Sequence, residues 1–386
     1  MRRWSDRMKI AVLAVRTLRG TGYSTRIVSM LKSYSALGHE VDFFHYRFTH
    51  EAELPNAYQT GIRRYVQVPL EGMRLRRHLS TTPPLASLCL QAHQRHLREV
   101  EQYDVVQAET SATWTAASRM RAQRKVVVLH DDDAVRLSQI SRMSVHMSER
   151  LLSAVDAWKY SRWQRTVLEN ADRIWFVSRP EHDRLAFDSI ENKSAVVPNG
   201  AADEFWAVPP KPRGEGHVFF AGPGLYEPNV HGLTWFIHEV WPVVREAVPR
   251  AELRVAGVGW EGMTSTPDVS FLGWCPSLSG EYARASVCIA PIFAGGGTKI
   301  KVIESMAAAR PVVTTVNAVD GIPRSTGVRV ARDARAFAAG VIAYLTDSAA
   351  ARSAGIANRT AVDGLRWSKV WESADRDLRR LFKPDR

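Results

Sequence analysis

The chain has 386 residues, of which 45% are hydrophobic and 24% charged, with a formal net charge of +12. That length suggests two domains, since a single core stops growing near roughly 250–300 residues. The composition excludes a disordered or fibrous chain. Three widely spread cysteines, Cys89, Cys275 and Cys288, exclude a disulfide framework and a zinc site and fit a reducing cytoplasm.

The N-terminus, MRRWSDRMKIAVLAV, has the basic start of a signal peptide. Its apolar run stops after Val15, however, and Arg16 and Arg19 follow with no small-residue cleavage site. It reads as a ragged start followed by a first buried strand, Lys9–Val15. Further strands are predicted at Glu40–Phe44, Asp104–Ala108, Lys125–Leu129, Arg173–Val177 and Ser194–Val197. A second series comprises His217–Ala221, Glu252–Ala256, Val269–Leu272, Val287–Ala290, Pro311–Thr315 and Gly327–Val330. These runs are short, β-branched and bounded by Gly, Pro or Asp. Segments of helical periodicity, such as Arg26–Leu37 and Gly232–Ala247, lie between them. The alternation predicts parallel sheets covered on both faces. No apolar run approaches the roughly 18 residues that span a bilayer.

The proline-rich stretch Trp206–Gly216 separates the two series and reads as a linker. The expected organisation is a first domain over 1–207, a second over 208–366, and a C-terminal helix over 367–386. That helix carries Trp367, Trp371, Leu378 and Phe382 and is expected to cross back to the first domain. In open parallel sheets ligands bind beyond the carboxyl ends of the strands. Two such domains facing across a cleft could join two substrates.

The most informative segment runs from Cys288 to Thr315, CIAPIFAGGGTKIKVIESMAAARPVVTT. A buried strand ends at Pro291, and the turn Gly295-Gly296-Gly297-Thr298 opens a helix expected through about Ala309. Glycines admit an anion to the backbone, and a helix N-terminus favours negative charge. Lys299 and Lys301 add cations. Glu304, one to two turns in, can accept hydrogen bonds from vicinal hydroxyls. Phosphate at the tip and sugar hydroxyls along the side describe a nucleotide. A glycine cluster alone is also compatible with an ordinary tight turn. It is neither a P-loop nor the dinucleotide fingerprint.

Ordered motifs along nearly the whole chain resemble glycosyltransferase family 4, the retaining group 1 transferases of GT-B fold. They are Gly38-His39-Glu40-Val41, Ser178-Arg179-Pro180-Glu181, Val197-Pro198-Asn199-Gly200, Phe220-Ala221-Gly222 through Trp235-Phe236, Val255-Ala256-Gly257, Phe271-Leu272-Gly273, and Ala290-Pro291 through Glu304. The resemblance implies an α/β, GT-B architecture of two Rossmann-like doubly wound domains. It implies transfer of a sugar from a nucleotide-diphosphate donor, UDP- or GDP-linked, to a hydroxyl-bearing acceptor. No metal or other cofactor is implied.

Carried over residue by residue, Glu304 would bind the ribose, and Gly296, Gly297, Thr298 and Lys299 would meet the diphosphate with Lys301. Leu272, Gly273 and Trp274 would meet the nucleobase. Gly20 and Gly22 correspond to the glycine-rich loop after the first strand, and Gly222 to the end of the first strand of the second domain. His130 corresponds to a histidine facing the transferred sugar, and Glu109 and Trp114 are acceptor candidates. Two departures stand out. The first glutamate of the family's Glu-x7-Glu pair is replaced by Gly296. The usual arginine and lysine near Pro223 and Asn229 are absent, leaving Lys299 and Lys301 as the local compensating cations.

Other readings remain beside these. Asp131-x-Asp133 could hold a divalent metal, although clustered Asp after a strand often caps a helix. A nucleotide-sugar epimerase could use the same scaffold. Lys299 or Lys301 could carry pyridoxal phosphate, a role their helix-tip position fits less well than phosphate binding. No nucleic-acid-binding module is present. Between Gly61 and Arg98, Arg63, Arg64, Arg74, Arg76, Arg77, Arg95 and Arg98 interleave with Tyr65, Val66, Leu75, Leu79, Leu85 and Leu88. This pattern suits a solvated basic surface first. An anionic acceptor site and peripheral contact with the inner face of a membrane are the alternatives. The expected location is cytoplasmic.

Overall fold

A computed structural model describes residues 7–15, 22–48, 61–71, 81–97, 101–130, 132–143, 147–212, 216–295 and 297–383. The chain divides into two compact units. The first holds the N-terminal strand, Tyr23–Pro198 and the C-terminal helix from Trp371 onward, and the second holds Asn199–Val370.

In the first unit, in chain order, β1 (Lys9–Val15) leads to α1 (Gly22–Ala36), β2 (Glu40–Phe48), β3 (Arg64–Leu70) and α2 (Pro84–His96). Next come β4 (Gln102–Ala108), α3 (Trp114–Ala117) and β5 (Arg121–Leu129). After α4 (Asp133–Met143) and α5 (Met147–Asn170) follow β6 (Arg173–Phe176), α6 (Arg179–Leu185), α7 (Asp188–Glu191) and β7 (Ser194–Val196). Among the described residues the strands form one sheet in the order β3-β2-β1-β4-β5-β6-β7, with every pairing parallel. The central strands are apolar on both faces: Ile10 to Ala14 and Val126 to Val128 are wholly inaccessible. Such a sheet needs helices on both sides.

The second unit repeats this plan. β8 (His217–Ala221), α8 (Glu227–Trp235), α9 (Trp241–Ala247), β9 (Glu252–Ala256) and β10 (Val269–Gly273) are followed by α10 (Ser279–Arg284), β11 (Val287–Ala290) and α11 (Ile300–Ala307). Then come β12 (Val312–Thr315), β13 (Val328–Ala331), α12 (Ala334–Thr346) and α13 (Ser348–Ala361); the last helix, α14 (Trp367–Arg380), belongs to the first unit from Trp371 onward. The strand order β10-β9-β8-β11-β12-β13 is again parallel throughout. Both orders contain the doubly wound 3-2-1-4-5-6 pattern, whose switch points lie between β1 and β4 and between β8 and β11. Those two places are where a ligand is expected.

Local chemistry explains several boundaries. One π turn, Phe236–Val240, joins α8 to α9 just before Pro242, which has no N–H to continue the ladder. α8 also packs closely on the end of β11, because a Cβ on Gly232 would lie 1.6 Å from the Pro291 carbonyl oxygen.

By its internal packing the chain divides between Pro198 and Asn199, which puts the proline-rich stretch with the second unit. Phe205, Trp206 and Val208 are core residues of the second unit, and the Pro209 and Pro210 carbonyls accept hydrogen bonds from the buried Arg310. The stretch is thus held in place by packing. The segment Gly61–Arg98, expected as a basic face, supplies the edge strand β3 while the Arg63, Arg64 and Arg95 side chains stay partly or largely exposed. Asp42, wholly buried, accepts hydrogen bonds from Arg63, Arg64 and Tyr103, and Arg63 also reaches Glu101. Leu88 belongs to the core, Val66 and Leu85 pack against it, and Arg95 pairs with Glu71. Arg74, Leu75, Arg76, Arg77, Leu79 and Arg98 lie outside the described residues.

Candidate active site

The second unit's switch point is lined by the turn after β8 and by residues 291–299 after β11. Helix α11 begins at Ile300, two residues after the turn expected to open it. Gly295 and Gly297 adopt φ of 95° and 68°, a region that favours glycine. The Lys299 ammonium folds back to donate to the carbonyls of Gly295 (2.9 Å) and Gly297 (3.0 Å), closing the turn. Gly297 and Thr298 are buried, and Asn199 donates to the Thr298 carbonyl at 3.4 Å. Gly296 lies outside the described residues.

Lys301 points from the first turn of α11 toward the end of β8. Its ammonium donates to Asn229 Oδ1 at 2.6 Å and lies 4.1 Å from the centroid of the Phe220 ring. Asn229 is fixed in turn by donating to the Pro223 carbonyl. Gly222 makes room for this arrangement: a Cβ there would fall 2.6 Å from Lys301 Nζ and 2.8 Å from Asn229 Nδ2. The β8 turn, which lacks the arginine and lysine expected from the family, thus faces a cation delivered from the neighbouring helix. Burial lowers the Lys301 amine to about 7, helped by the Lys299 charge and opposed by Glu304.

Glu304 lies one turn further along α11 and is 8% exposed. Its Oε2 accepts the Tyr282 hydroxyl at 3.1 Å. Burial raises its carboxyl to about 7, against the pull of the Tyr282 hydrogen bond and the Lys301 charge. The ammonium and the carboxylate suit an anion followed by a diol. At the end of β10, Gly273 takes φ of 64° at a register shift, and Trp274 beside it is 45% exposed. An exposed indole next to a strand end can stack on a flat ring. Leu272 is half-buried beside it.

In the first unit, His130 ends β5, and its Nε2 lies 2.9 Å from Glu109 Oε2. The Tyr23 ring meets the imidazole edge-on with centroids 4.7 Å apart. Glu109 follows β4 at the switch point and is wholly buried. Its other oxygen accepts from Gln107 Nε2, and Gln107 Oε1 accepts the Tyr34 hydroxyl at 2.9 Å. Glu109 therefore supports His130, and its burial takes it out of reach of an acceptor. Trp114, the other acceptor candidate, is 4% exposed and packs in the core. The aspartates after His130 serve as structural groups: Asp132 accepts from the amides of Ala134 and Val135 at the start of α4, and Asp133 accepts from Ser111. Asp131 lies outside the described residues. No group of three or more His, Cys, Asp or Glu that could hold a metal occurs among the described residues. Gly20 is outside them too, and Gly22 starts α1.

Sequence reasoning missed Arg26. It is fully buried, donates to the Pro198 carbonyl at 2.8 Å, and lies 4.8 Å from the centroid of the Trp371 ring. Burial lowers its pKa to about 10, with Glu109 among the charges opposing the shift. The available signal was its spacing of four from Met30 and eight from Tyr34 on the buried face of α1.

Residues 20–205 match the model of Glycosyltransferase Family 4, and residues 215–347 match that of Glycosyl transferases group 1. The chain belongs to glycosyltransferase family 4. It is similar to an uncharacterized 44.6 kDa protein in the cps region of Klebsiella pneumoniae, with 24% identity over 348 residues covering 82% of this chain and 85% of that protein. Among solved structures it resembles sucrose-phosphate synthase from Thermosynechococcus elongatus, with a TM-score of 0.68 and 18% identity, covering 97% of this chain and 99% of that one. It also resembles Anabaena HepE in complex with UDP and glucose, with a TM-score of 0.64 and 13% identity, covering 97% and 100%. These likenesses carry the GT-B fold of two Rossmann-like domains. The transferase is thus an enzyme of glycosyl transfer. No described helix is long and apolar enough to cross a membrane.

Proposed function

We propose that this transferase moves a sugar from a nucleotide-diphosphate donor, UDP- or GDP-linked, to an acceptor hydroxyl with retention of anomeric configuration. One observation carries the reading: α11 sets the Lys301 ammonium at the end of β8 and the Glu304 carboxylate one turn behind it. Pyrophosphate belongs beside the first and the ribose diol beside the second. The UDP bound by HepE supports uridine as the first nucleotide to test.

In the proposed reaction the sugar's C1–O bond to phosphate breaks as the acceptor oxygen bonds to C1 on the same face. The leaving phosphate oxygen takes the acceptor's proton. The protein's task is to place the reactants and to stabilise charge on the departing diphosphate. Lys301 supplies the cation, and the amides of Gly297 and Thr298 are the proposed backbone donors. His130 orients the sugar. An ionised Glu109 accepts an N–H from His130 Nε2, which leaves Nδ1 as the atom available to substrate. With the ammonium in this role, the reaction is proposed to need neither a metal nor an organic cofactor.

The test is calorimetric titration with UDP, GDP and their hexose conjugates, followed by NMR of the product's anomeric proton. Binding of one series, activity in chelator and a retained configuration are expected. Absence of binding to both series would remove the donor reading. An inverted product would remove retention, and sugar isomerisation with donor alone would make the enzyme an epimerase.

A further inference from the structure

Helix α5 is inside out along its first half. Met147, Leu151, Val155 and Trp158 are 66%, 63%, 46% and 56% exposed. Their spacing of four, four and three places them on one helical face. The rest of the helix buries polar groups instead: Asp156, Lys159 and Gln164 are each at most 9% exposed, with Lys159 3.9 Å from Asp156. An ordinary surface helix has the reverse arrangement.

We propose that this face of α5 docks on an anionic lipid surface. The charge around the apolar stripe has the required sign. Arg150, Arg162 and Arg165 are exposed along it, and Glu169, paired with Arg165, is the exposed acid among the described side chains of this helix. The Arg162 guanidinium lies 4.8 Å from the centroid of the Trp158 ring. An indole flanked by arginine suits the boundary between acyl chains and headgroups, where the ring is buried and the cation meets phosphate.

The area decides against a second copy of the chain. The four apolar side chains leave on the order of 400 Å² exposed, about half of the roughly 800 Å² that each partner of a stable protein complex buries. One helix face lying in a bilayer interface needs no larger patch. The surface also belongs to the segment that follows His130 in the chain, since α4 is the next helix after β5 and packs on α5. The inference does not rest on the identity of the donor.

The test is co-sedimentation of the full chain with vesicles of phosphatidylcholine alone and of equal phosphatidylcholine and phosphatidylglycerol. Binding to the anionic vesicles is expected, weakening as salt is raised. The double variant Leu151→Glu, Trp158→Glu should lower the partition coefficient at least tenfold. Val243→Glu, which charges an exposed apolar position in the second unit, should leave it unchanged. Nucleotide titration of each variant checks that it is folded. Absence of binding to anionic vesicles, or equal binding by the double variant, would overturn the proposal. So would a concentration-dependent dimer abolished by the double variant in the absence of vesicles, which would assign the face to self-association.

Discussion

Replacing Glu304 by alanine removes the acceptor proposed for the ribose diol. A hydrogen bond to a charged group contributes about 1.5–3 kcal/mol, and two such bonds share one carboxylate here, so a loss of about 2–4 kcal/mol is expected. At about 1.4 kcal/mol per tenfold, Kd for UDP should rise roughly 30- to 800-fold. Thermal-shift titration reads this directly. A ligand at 100 times its Kd stabilises the wild type by about 2.7 kcal/mol, and the same concentration should stabilise the variant by less than about 1 kcal/mol. The substitution also takes the 3.1 Å acceptor from the buried Tyr282 hydroxyl. Glu304→Gln, which retains an acceptor, therefore serves as the packing control. It should bind more tightly than the alanine variant and more weakly than the wild type. Wild-type affinity in Glu304→Ala would show that this carboxylate does not hold the ribose, and the assignment of the whole α11 site would fall with it.

Gly222→Ala should weaken nucleotide binding about tenfold, because the new methyl displaces the Lys301 ammonium, and should cost about 1–3 kcal/mol of stability, because it also meets the buried Asn229 amide held by the Pro223 carbonyl; titration and urea unfolding separate the two effects. Glu109→Gln should lower kcat by about 10- to 100-fold while leaving nucleotide Kd unchanged, since it alters the hydrogen bond that sets the His130 ring. Equal loss in kcat and affinity would refute that role. Affinity for UDP should peak near pH 7. Below it Glu304, raised to about 7, is protonated and a poorer acceptor, and above it Lys301, lowered to about 7, loses its charge. Calorimetry across pH should show the acid-side fall vanish in Glu304→Gln and the alkaline-side fall vanish in Lys301→Met. A flat profile in the wild type would exclude both groups.

The strands that the sequence revealed are those buried on both faces. Lys9–Val15 and Val287–Ala290 are continuous apolar runs, and no polar alternative competes with that signal. Strand β3 was hidden because it is an edge. Arg64 and the preceding Arg63 meet Asp42, a buried acid on the neighbouring strand, and a pairing of that kind has no local signature. The arginines read as a surface do keep part of their side chains in solvent. The proline-rich stretch after Trp206 has the composition of a linker. Its role is decided by Arg310, about a hundred positions later, which donates to its carbonyls. The placement of Glu304 was legible because a helix carries it a fixed distance from a glycine turn. Glu109 was placed at the correct strand end but given the wrong direction: nothing near it in sequence shows that Gln107 and His130 occupy its oxygens.

The placement of Lys301 also accounts for residues that look like losses when each is considered alone. A cation at the end of β8 can come from the turn itself or from the adjacent helix, but two ammonium groups there would repel one another at short range. With Lys301 entering from α11, position 229 is an amide that accepts the Lys301 proton at 2.6 Å. Position 222 carries no side chain, because any Cβ would stand where the ammonium is. Phe220, the strand residue beneath, turns its ring face to the same charge. Neutral Asn229, bare Gly222 and aromatic Phe220 are each what one imported cation requires of its surroundings. Under the proposed function, the absence of arginine and lysine from the β8 turn is a relocation of charge to α11, carried by the Lys301 amine whose burial lowers it to about 7.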